Sequence, residues 1–345
     1  MAMGNKYGAH RVIEPKGLLP QAAQKIDNTM DIYDNEILID VSALNIDSAS
    51  FRQLWSASEQ NEDRLKAMVL GIVAERGKMQ NPVTGSGGML MGSIAKIGPA
   101  LQDRKDIKVG DRIASLVSLS LTPLHIDEIL AVHPDTDRVD IKGQAILFES
   151  GIYAKLPDDM PESLALAALD VAGAPAQTAN IVKPGDSVLI LGAGGKSGML
   201  CGYEAMKRVG PCGNVVGMSR NDAHEKTLLD NHFVHKFFVA DAANPVEVLE
   251  KALEYNDGKE YDVAINVVNI QGTEMSTILP VRDGGLVYFF SMATSFTRAA
   301  LGAEGIGKDV TMIIGNGYTR NHAVFTLQEL RESKALREIF EKNYI

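Results

Sequence analysis

The most informative pattern in the sequence is a glycine-rich turn at 191–198, which reads Leu-Gly-Ala-Gly-Gly-Lys-Ser-Gly. The turn follows Ser187–Leu191, a continuous apolar run typical of a strand that is buried on both faces. It precedes Met199–Val209, where apolar residues recur at helical spacing. Glycines in this context allow a tight turn and close helix–strand packing, and the helix N-terminus offers free N–H groups to a phosphate. We therefore predict a dinucleotide-binding turn formed by Gly192, Ala193, Gly194, Gly195, Lys196 and Ser197.

The segment after the next predicted strand, Asn214–Met218, indicates which dinucleotide binds. An NAD site usually places a carboxylate there for the ribose hydroxyls, whereas an NADP site uses a cation and small polar groups. Here the segment holds Ser219, Arg220 and Asn221. Arg220 can pair with a 2′-phosphate, although an ordinary solvated arginine would look the same in the sequence. NADP is therefore favoured, and NAD stays open because Asp222 lies just beyond.

Composition limits the classes of protein to which the chain can belong. Its 345 residues suffice for about two domains, and 45% hydrophobic with 23% charged residues is ordinary for a globular protein. Lys and Arg number 34 against 44 Asp and Glu, a formal charge of −10, which argues against nucleic acid and anionic membranes as partners. Two cysteines cannot build a disulfide framework. Since no signal-peptide core or membrane-length apolar run is found, the expected location is the cytoplasm.

The order of predicted elements indicates two parts of different character. The first, to about residue 157, is rich in short strands and turns, and in Glu36–Ala43 the apolar residues Ile37, Ile39 and Val41 share one face. Beyond it, helix Met160–Ala172 begins a region of alternating strands and helices, which predicts a doubly wound parallel sheet. Residues 321–343 close the chain as an amphipathic helix or helix pair. The predicted strands of the second part are Ser187–Leu191, Asn214–Met218, Phe237–Val239, Tyr261–Val268, Gly285–Phe290 and Asp309–Ile314.

Motifs along nearly the whole chain resemble the medium-chain dehydrogenase/reductase superfamily. In order, they are Glu36–Asp47, Val83–Gly98, Gly110–Ile113, Lys183–Asp186, the glycine turn and Asp283–Gly285. The sequences of Tyr7–Pro15 and Asn45–Phe51 are similar to those of one branch of the superfamily, the L-erythro-3,5-diaminohexanoate dehydrogenases. The resemblance implies an α/β fold with a β-rich GroES-like catalytic domain (1–157 with about 318–345) and a Rossmann dinucleotide-binding domain (158–317). It also implies an active-site cleft between the two domains.

The branch implies a reaction as well. It is the NAD(P)-dependent oxidative deamination of L-erythro-3,5-diaminohexanoate, a small zwitterionic diamino acid, to 5-amino-3-oxohexanoate and ammonia in fermentative lysine degradation. Hydride transfer from an amine-bearing carbon requires a neutral amine and hence a nearby base. In the resemblance the end of the first long strand faces the nicotinamide, which makes Asn45, Asp47 and Ser48 catalytic candidates. Asp47 is either a base or ammonium anchor, or a turn residue that bonds its own backbone.

Three further positions are implied at the same site. Asp170 is a further catalytic candidate, because it interrupts the apolar helix segment Leu164–Ala172, where a carboxylate should have a partner or a function. By the resemblance, this helix leads into a segment that borders the nicotinamide. The ends of two later strands, Val268–Asn269 and Ser291–Met292, fill the places that hold the nicotinamide and its carboxamide.

The sequence departs from the zinc alcohol dehydrogenases of the superfamily. These carry a cysteine after the first long strand and a His-Glu pair in the glycine-rich segment, where this chain has Asn45–Ser48 and Gly85–Gly87. We therefore expect chemistry without a metal. Two alternatives to the dehydrogenase remain, a zinc-free NADPH-dependent quinone or enoyl reductase and a nucleotide-binding protein without catalysis. A homodimer is expected because the last strand of the nucleotide domain would leave an exposed sheet edge.

Overall fold

The computed structural model describes residues 2–315 and 317–344. The chain forms two compact units, Met1–Asp158 and Asp159–Ile345. The first contains an antiparallel sheet and the second a parallel sheet flanked by helices, so the α/β fold class predicted from the sequence is confirmed.

The first unit is organised around a long central strand. Its strands are β1 (Val12–Glu14), β2 (Lys25–Ile26), β3 (Glu36–Ile46), β4 (Gly88–Ile97), β5 (Arg112–Ser115), β6 (Leu124–His133), β7 (Arg138–Phe148) and β8 (Tyr153–Lys155). Six of them form one antiparallel sheet in the order β6-β7-β3-β4-β5-β8. In β3, Ile37, Ile39 and Val41 are buried and Asp40 is exposed, which confirms the predicted alternation.

Two helices that the sequence analysis missed follow β3, namely α1 (Ser48–Ala57) and α2 (Glu62–Arg76). The side chain of Asn61 caps α2 by accepting the Arg64 N–H at 3.0 Å, and Gly77 ends the helix in the left-handed region at φ 72°. Leu65, Val69 and Val73, four residues apart, form its buried stripe. The first unit is therefore a sheet with a helical layer rather than strands and turns alone.

The second unit is a doubly wound α/β fold. Its strands are β9 (Ser187–Leu191), β10 (Asn214–Ser219), β11 (Lys236–Val239), β12 (Tyr261–Asn266), β13 (Val281–Phe289) and β14 (Thr311–Ile314), which confirms the six predicted strands. All pair in parallel, in the order β11-β10-β9-β12-β13-β14. Numbered within this unit the order is 3-2-1-4-5-6, the arrangement of dinucleotide-binding folds. Ligands of such sheets bind beyond the carboxyl ends of the strands where the order reverses, here between β9 and β12.

Helices cover both faces of this sheet. They are α3 (Glu162–Leu169), α4 (Gly173–Ile181), α5 (Lys196–Val209), α6 (Glu225–Asp230), α7 (Pro245–Tyr255), α8 (Glu274–Ile278), α9 (Phe296–Ile306), α10 (His322–Glu332) and α11 (Lys334–Tyr344). The last two are the predicted closing helix pair. The central strands β9, β10 and β12 are mostly buried, since helices on both sides shield them from water, whereas no residue of the edge strand β14 is buried.

The terminal helices belong to the second unit, whereas the sequence analysis expected residues 318–345 to join the β-rich part. Both helices pack on α3, and α10 also packs on α4. Thr326 Oγ1 donates to the Ala172 carbonyl at 3.1 Å, and Arg331 holds the Asp159 carboxylate at 2.7 and 2.9 Å. The apolar face of α11, with Leu336 and Phe340 fully buried, explains this placement, because these side chains find their apolar surroundings on α3 and α5.

No helix in the described part of the chain is both long enough and apolar enough to cross a membrane.

Candidate active site

The carboxyl edge of the parallel sheet brings the predicted cofactor residues together. Leu191 at the end of β9 pairs with Met218 of β10 on one side and with Asn266 of β12 on the other. Asn266 in turn pairs with Phe289 of β13. Because these four strands end level with one another, the segments that follow them meet at one edge. They contain the glycine turn, Ser219–Asn221, Val268–Asn269 and Ser291–Met292.

The glycine turn has the geometry that a bound pyrophosphate requires. Gly192 lies at φ 88°, and the N–H groups of Gly192 and Ala193 donate to the Met218 carbonyl at 2.9 and 3.0 Å. A Cβ on Gly198 would lie 2.2 Å from the Gly192 carbonyl oxygen, so only glycine lets α5 pack this closely against the turn. Gly195 precedes α5 and is exposed, with Lys196 and Ser197 half-buried in the first helical turn. The free N–H groups of that turn can therefore receive a phosphate.

The segment after β10 lies against this turn. Ser219 Oγ accepts the Gly194 N–H at 3.1 Å, which fixes the hydroxyl to the turn. Arg220 is exposed, and Asn221 Oδ1 accepts the Ala223 N–H at 3.2 Å as a local turn bond. The ring of His224 lies so close to Gly194 that a Cβ there would meet it at 2.7 Å, a contact that sequence analysis missed. An arginine with a free approach and a nearby hydroxyl are the groups that a 2′-phosphate would use.

Polar groups also follow β12 and β13. Ser291 Oγ lies 3.5 Å from Asn269 Oδ1 and accepts the Ala293 N–H at 3.2 Å. Met292 is 87% exposed. Val268 faces Gly192, where an added Cβ would meet its Cγ2 at 3.1 Å. Val268 thus borders the glycine turn on its β12 side.

A buried amide beneath this region was not predicted. Asn266, the last residue of β12, donates to Thr273 Oγ1 at 2.9 Å and to Thr277 Oγ1 at 2.8 Å, and its Oδ1 accepts the Val268 N–H at 2.9 Å. Buried Glu274 accepts the Ser295 N–H at 2.7 Å. Both groups are fully engaged, so they hold the loops after β12 and β13 in place. The available signal in the sequence was a polar residue that ends an otherwise apolar strand.

The structure gives Asp170 the partner that sequence analysis required. Its Oδ2 lies 2.9 Å from Lys196 Nζ in the glycine turn, and the Lys196 ammonium also lies 5.3 Å from the centre of the Tyr344 ring. Burial raises the pKa of Tyr344, so its hydroxyl stays protonated. Asp170 is therefore placed beside the cofactor residues of the second unit.

The other catalytic candidates lie together in the first unit, at the end of β3. Asn45 is the penultimate residue of the strand, half-buried and paired with Met89 and Arg138. Asp47 caps α1, its Oδ1 accepting the Ala49 N–H at 3.0 Å, which is the backbone role that the sequence analysis left open for it. Ser48 donates to the Asp137 carboxylate. Asp47 and Ser48 are both exposed, so substrate can reach them.

A group of hydroxyls next to Asp47 also escaped prediction. Ser50 Oγ lies 2.5 Å from Thr84 Oγ1 and 2.6 Å from Ser86 Oγ. Ser50 follows the first of the two segments where the zinc enzymes of the resembled superfamily carry ligands, and Ser86 lies within the second. Among residues 2–315 and 317–344, no group of three or more His, Cys, Asp or Glu side chains is arranged to hold a metal ion.

Comparison with known proteins identifies the family. A sequence profile of the L-erythro-3,5-diaminohexanoate dehydrogenase N-terminal domain matches residues 10–157. The chain is 67% identical over 342 residues to L-erythro-3,5-diaminohexanoate dehydrogenase of Acetoanaerobium sticklandii, covering 99% of each protein. It is 65% identical over 345 residues to the enzyme of the same name from Fusobacterium nucleatum, covering both completely. The chain belongs to the L-erythro-3,5-diaminohexanoate dehydrogenase family. The branch suggested by the sequence motifs is thereby confirmed.

Solved structures place the fold of this dehydrogenase family among the quinone oxidoreductases. The Escherichia coli quinone oxidoreductase complexed with NADPH matches with a TM-score of 0.52 at 18% identity, over 92% of this chain and 85% of that one. A mycobacterial quinone oxidoreductase matches with a TM-score of 0.53 at 14% identity, over 94% and 86%. At such identities the likeness concerns the fold alone.

Proposed function

We propose that this protein catalyses the NAD(P)-dependent oxidative deamination of L-erythro-3,5-diaminohexanoate to 5-amino-3-oxohexanoate and ammonia, as a step of fermentative lysine degradation. The observation that carries the proposal is the 67% identity, over 99% of both chains, to an enzyme named for this substrate. The dinucleotide geometry of the second unit supports it, because a dehydrogenase of this kind needs a nicotinamide cofactor as hydride acceptor.

The reaction sets clear requirements for the protein. The amine at C3 must lose a proton before its lone pair can form the C=N bond as hydride leaves C3. Water then adds to the iminium carbon, and ammonia leaves with the return of a proton. For each turnover one substrate, one oxidised cofactor and one water give one ketone, one reduced cofactor, one ammonium ion and one proton.

Asp47, Asn45 and Ser48 remain our candidates for the residues that act on the substrate amine. Asp47 is the one carboxylate among the three, and its exposed position leaves one oxygen free while the other caps α1. We propose that it takes the ammonium proton or anchors an ammonium group, and that Asn45 and Ser48 orient water or amine.

For the cofactor, we propose that the glycine turn binds the pyrophosphate and that Arg220 gives a preference for NADP over NAD. Ser219–Asn221 offers no carboxylate to repel a 2′-phosphate. Asn269 and Ser291 are the proposed partners of the nicotinamide carboxamide, since their polar groups meet at the carboxyl ends of β12 and β13.

We also propose that the protein is a homodimer joined at β14. This strand is the last of the sheet order, and its terminal residue Ile314 is 46% exposed, which is the kind of edge that a second copy can extend. Light scattering tests this assembly, and the mass of a single chain would contradict it.

The activity assay uses the purified protein, stereochemically pure L-erythro-3,5-diaminohexanoate and either NADP or NAD. It follows the near-ultraviolet absorbance of reduced nicotinamide together with the release of ammonia. We expect both signals to appear with equal stoichiometry. No substrate-dependent signal with either cofactor contradicts the proposal. Oxidation of NADPH by a quinone or an enoyl thioester in the same preparation would instead favour a reductase.

A further inference from the structure

Lys196 and Asp170 carry charges that their own helices disfavour. Lys196 is the first residue of α5, where the helix dipole favours anions, and Asp170 is the C-cap of α3, where it favours cations. A side chain of the opposite charge at each position would interact more favourably with the helix dipole. The 2.9 Å ion pair between the two side chains offsets part of this cost in the free protein. The ion pair alone does not explain why a lysine occupies the N-terminus of α5.

We propose that Lys196 contacts a cofactor phosphate and that Asp170 is a positioning residue, which holds the ammonium beside the glycine turn in the free protein and competes with the phosphate for it when the cofactor binds. The inference rests on the proposed function, because it assumes that a dinucleotide binds this turn. It differs from the sequence-based prediction for Asp170, in which this residue is a catalytic candidate. The assignment follows from where the carboxylate lies, since its ion-pair partner belongs to the glycine turn.

Two observations support an exchange of partners. The Asp170 side chain is 52% exposed and that of Lys196 is 26% exposed, so water already reaches their ion pair. Such an exposed pair contributes little to stability, because water screens it. A phosphate oxygen offers a charge-assisted bond to the same ammonium and adds the attraction of the α5 N-terminus. The phosphate is therefore the stronger partner.

Tyr344 keeps the ammonium in place during this exchange. Its ring centre lies 5.3 Å from Lys196 Nζ, within the range of a cation–π contact. The ring is held by α11, whose Leu336 and Phe340 are fully buried. Lys196 is thus limited to a small region beside the turn even after Asp170 releases it.

The test measures NADPH and NADH dissociation constants by nicotinamide fluorescence for the wild type, Lys196→Met, Asp170→Asn and the double variant, at low and high salt. We expect Lys196→Met to weaken binding about five- to tenfold, the scale of one charge-assisted contact. Asp170→Asn should tighten binding about threefold at low salt, because the competing carboxylate is gone. This gain should vanish in the Lys196→Met background and at high salt. Asp170→Glu should restore the wild-type affinity.

Kinetics separates positioning from catalysis. In Asp170→Asn the KM of the cofactor should change while the KM of the diamino acid does not. The matched control is Lys334→Met, which removes the charge of a lysine whose side chain is 88% exposed and should leave both dissociation constants unchanged.

Each outcome has a distinct meaning. If the wild type binds and reduces a nicotinamide cofactor but Lys196→Met binds it equally well, the inference is wrong and the proposed function stands. An equal effect of Asp170→Asn with and without Lys196 also contradicts it, because the carboxylate would then act independently. If the wild type binds neither dinucleotide, the proposed function itself fails.

Discussion

Glu329 of α10 is buried close enough to Glu204 of α5 for their charges to interact, and of the two residues Glu204 is the one with direct ion pairs among the described residues. Arg208 Nε lies 2.5 Å from Glu204 Oε1, and Lys207 Nζ lies 3.1 Å from its Oε2. Within the described residues, neither carboxyl oxygen of Glu329 has a hydrogen-bond partner, although the residue is 1% exposed. Burial, and then the negative charge of Glu204, raise the pKa of Glu329 well above its ordinary value. Glu329 therefore keeps its proton at pH values where an exposed glutamate has released it.

This pair predicts how stability changes with pH. The folded protein keeps a proton on Glu329 at pH values where the unfolded chain, with an ordinary pKa of 4.5, has released it. The stabilisation is complete below that value and is lost as pH rises towards the raised pKa of the folded state. We expect Glu329→Gln to abolish this alkaline loss and to add about 1–3 kcal/mol at high pH, the scale of a buried unsatisfied group. Urea unfolding at acidic, neutral and alkaline pH measures it.

Glu332→Gln is the control for this prediction. Glu332 lies on the same helix and pairs with Lys207 at 2.9 Å, which lowers its pKa. Its contribution is present above the unfolded pKa and is lost as pH falls, so removing its charge should slightly destabilise the protein at neutral pH. If Glu329→Gln and Glu332→Gln shift stability in the same direction at high pH, the buried pair is not the source of the effect.

Two glycines of the cofactor turn should respond differently to an added methyl group. In Gly198→Ala the new Cβ would meet the Gly192 carbonyl oxygen at 2.2 Å and Ala193 Cα at 2.6 Å. We expect this overpacking to cost about 1–3 kcal/mol in the free energy of unfolding. In Gly195→Ala the nearest atom lies at 3.5 Å and φ is −83°, so stability should be unchanged.

Gly195→Ala should nevertheless weaken cofactor binding about tenfold or more, because its methyl group would occupy the space proposed for the pyrophosphate. Gly305→Ala, where the added Cβ meets only open space, is the control for both measurements. Unchanged NADPH affinity in Gly195→Ala, measured by fluorescence, would place the pyrophosphate elsewhere.

The second unit could be predicted from the sequence because its signals are local. Its strands are continuous apolar runs, and caps mark its helices: Asn244 accepts the Glu247 N–H, and Pro245 begins α7, as the residue types indicate. In the first unit α2 was missed although Asn61 and Gly77 mark its ends. Its buried stripe is narrow, formed by Leu65, Val69 and Val73 among mostly polar residues.

The candidate site, like the fold, could be predicted only where its sequence signal is local. The glycine turn is a contiguous pattern whose context identifies it, so its place in the fold followed from the sequence. The contacts of Asp170 with Lys196 and of Glu204 with Glu329 join residues far apart in the chain, and packing of the helices decides them. The return of residues 318–345 to the second unit has the same cause, since an amphipathic helix does not reveal which surface it will cover.

Arg220→Ala tests the proposed cofactor preference. The guanidinium follows β10 and is exposed, and a 2′-phosphate bound there would lose a charge-assisted contact on its removal. We expect kcat/KM for NADP to fall about tenfold or more while kcat/KM for NAD changes little. NAD thus serves as the control within the same variant. An unchanged ratio of the two values would mean that Arg220 is an ordinary solvated side chain.

Asp47 can be tested separately as a helix cap and as a catalytic group. Asparagine caps helices as well as aspartate does, so Asp47→Asn should keep the bond to the Ala49 N–H and the stability of the first unit. Asp47→Ala should lose about 1 kcal/mol on thermal unfolding, since α1 loses its cap. If Asp47 takes the substrate proton, both variants should lower kcat for diaminohexanoate about a hundredfold or more, the usual scale of general-base catalysis. Full activity in Asp47→Asn together with reduced stability in Asp47→Ala would leave Asp47 with the structural role alone, and a different residue would have to take the substrate proton.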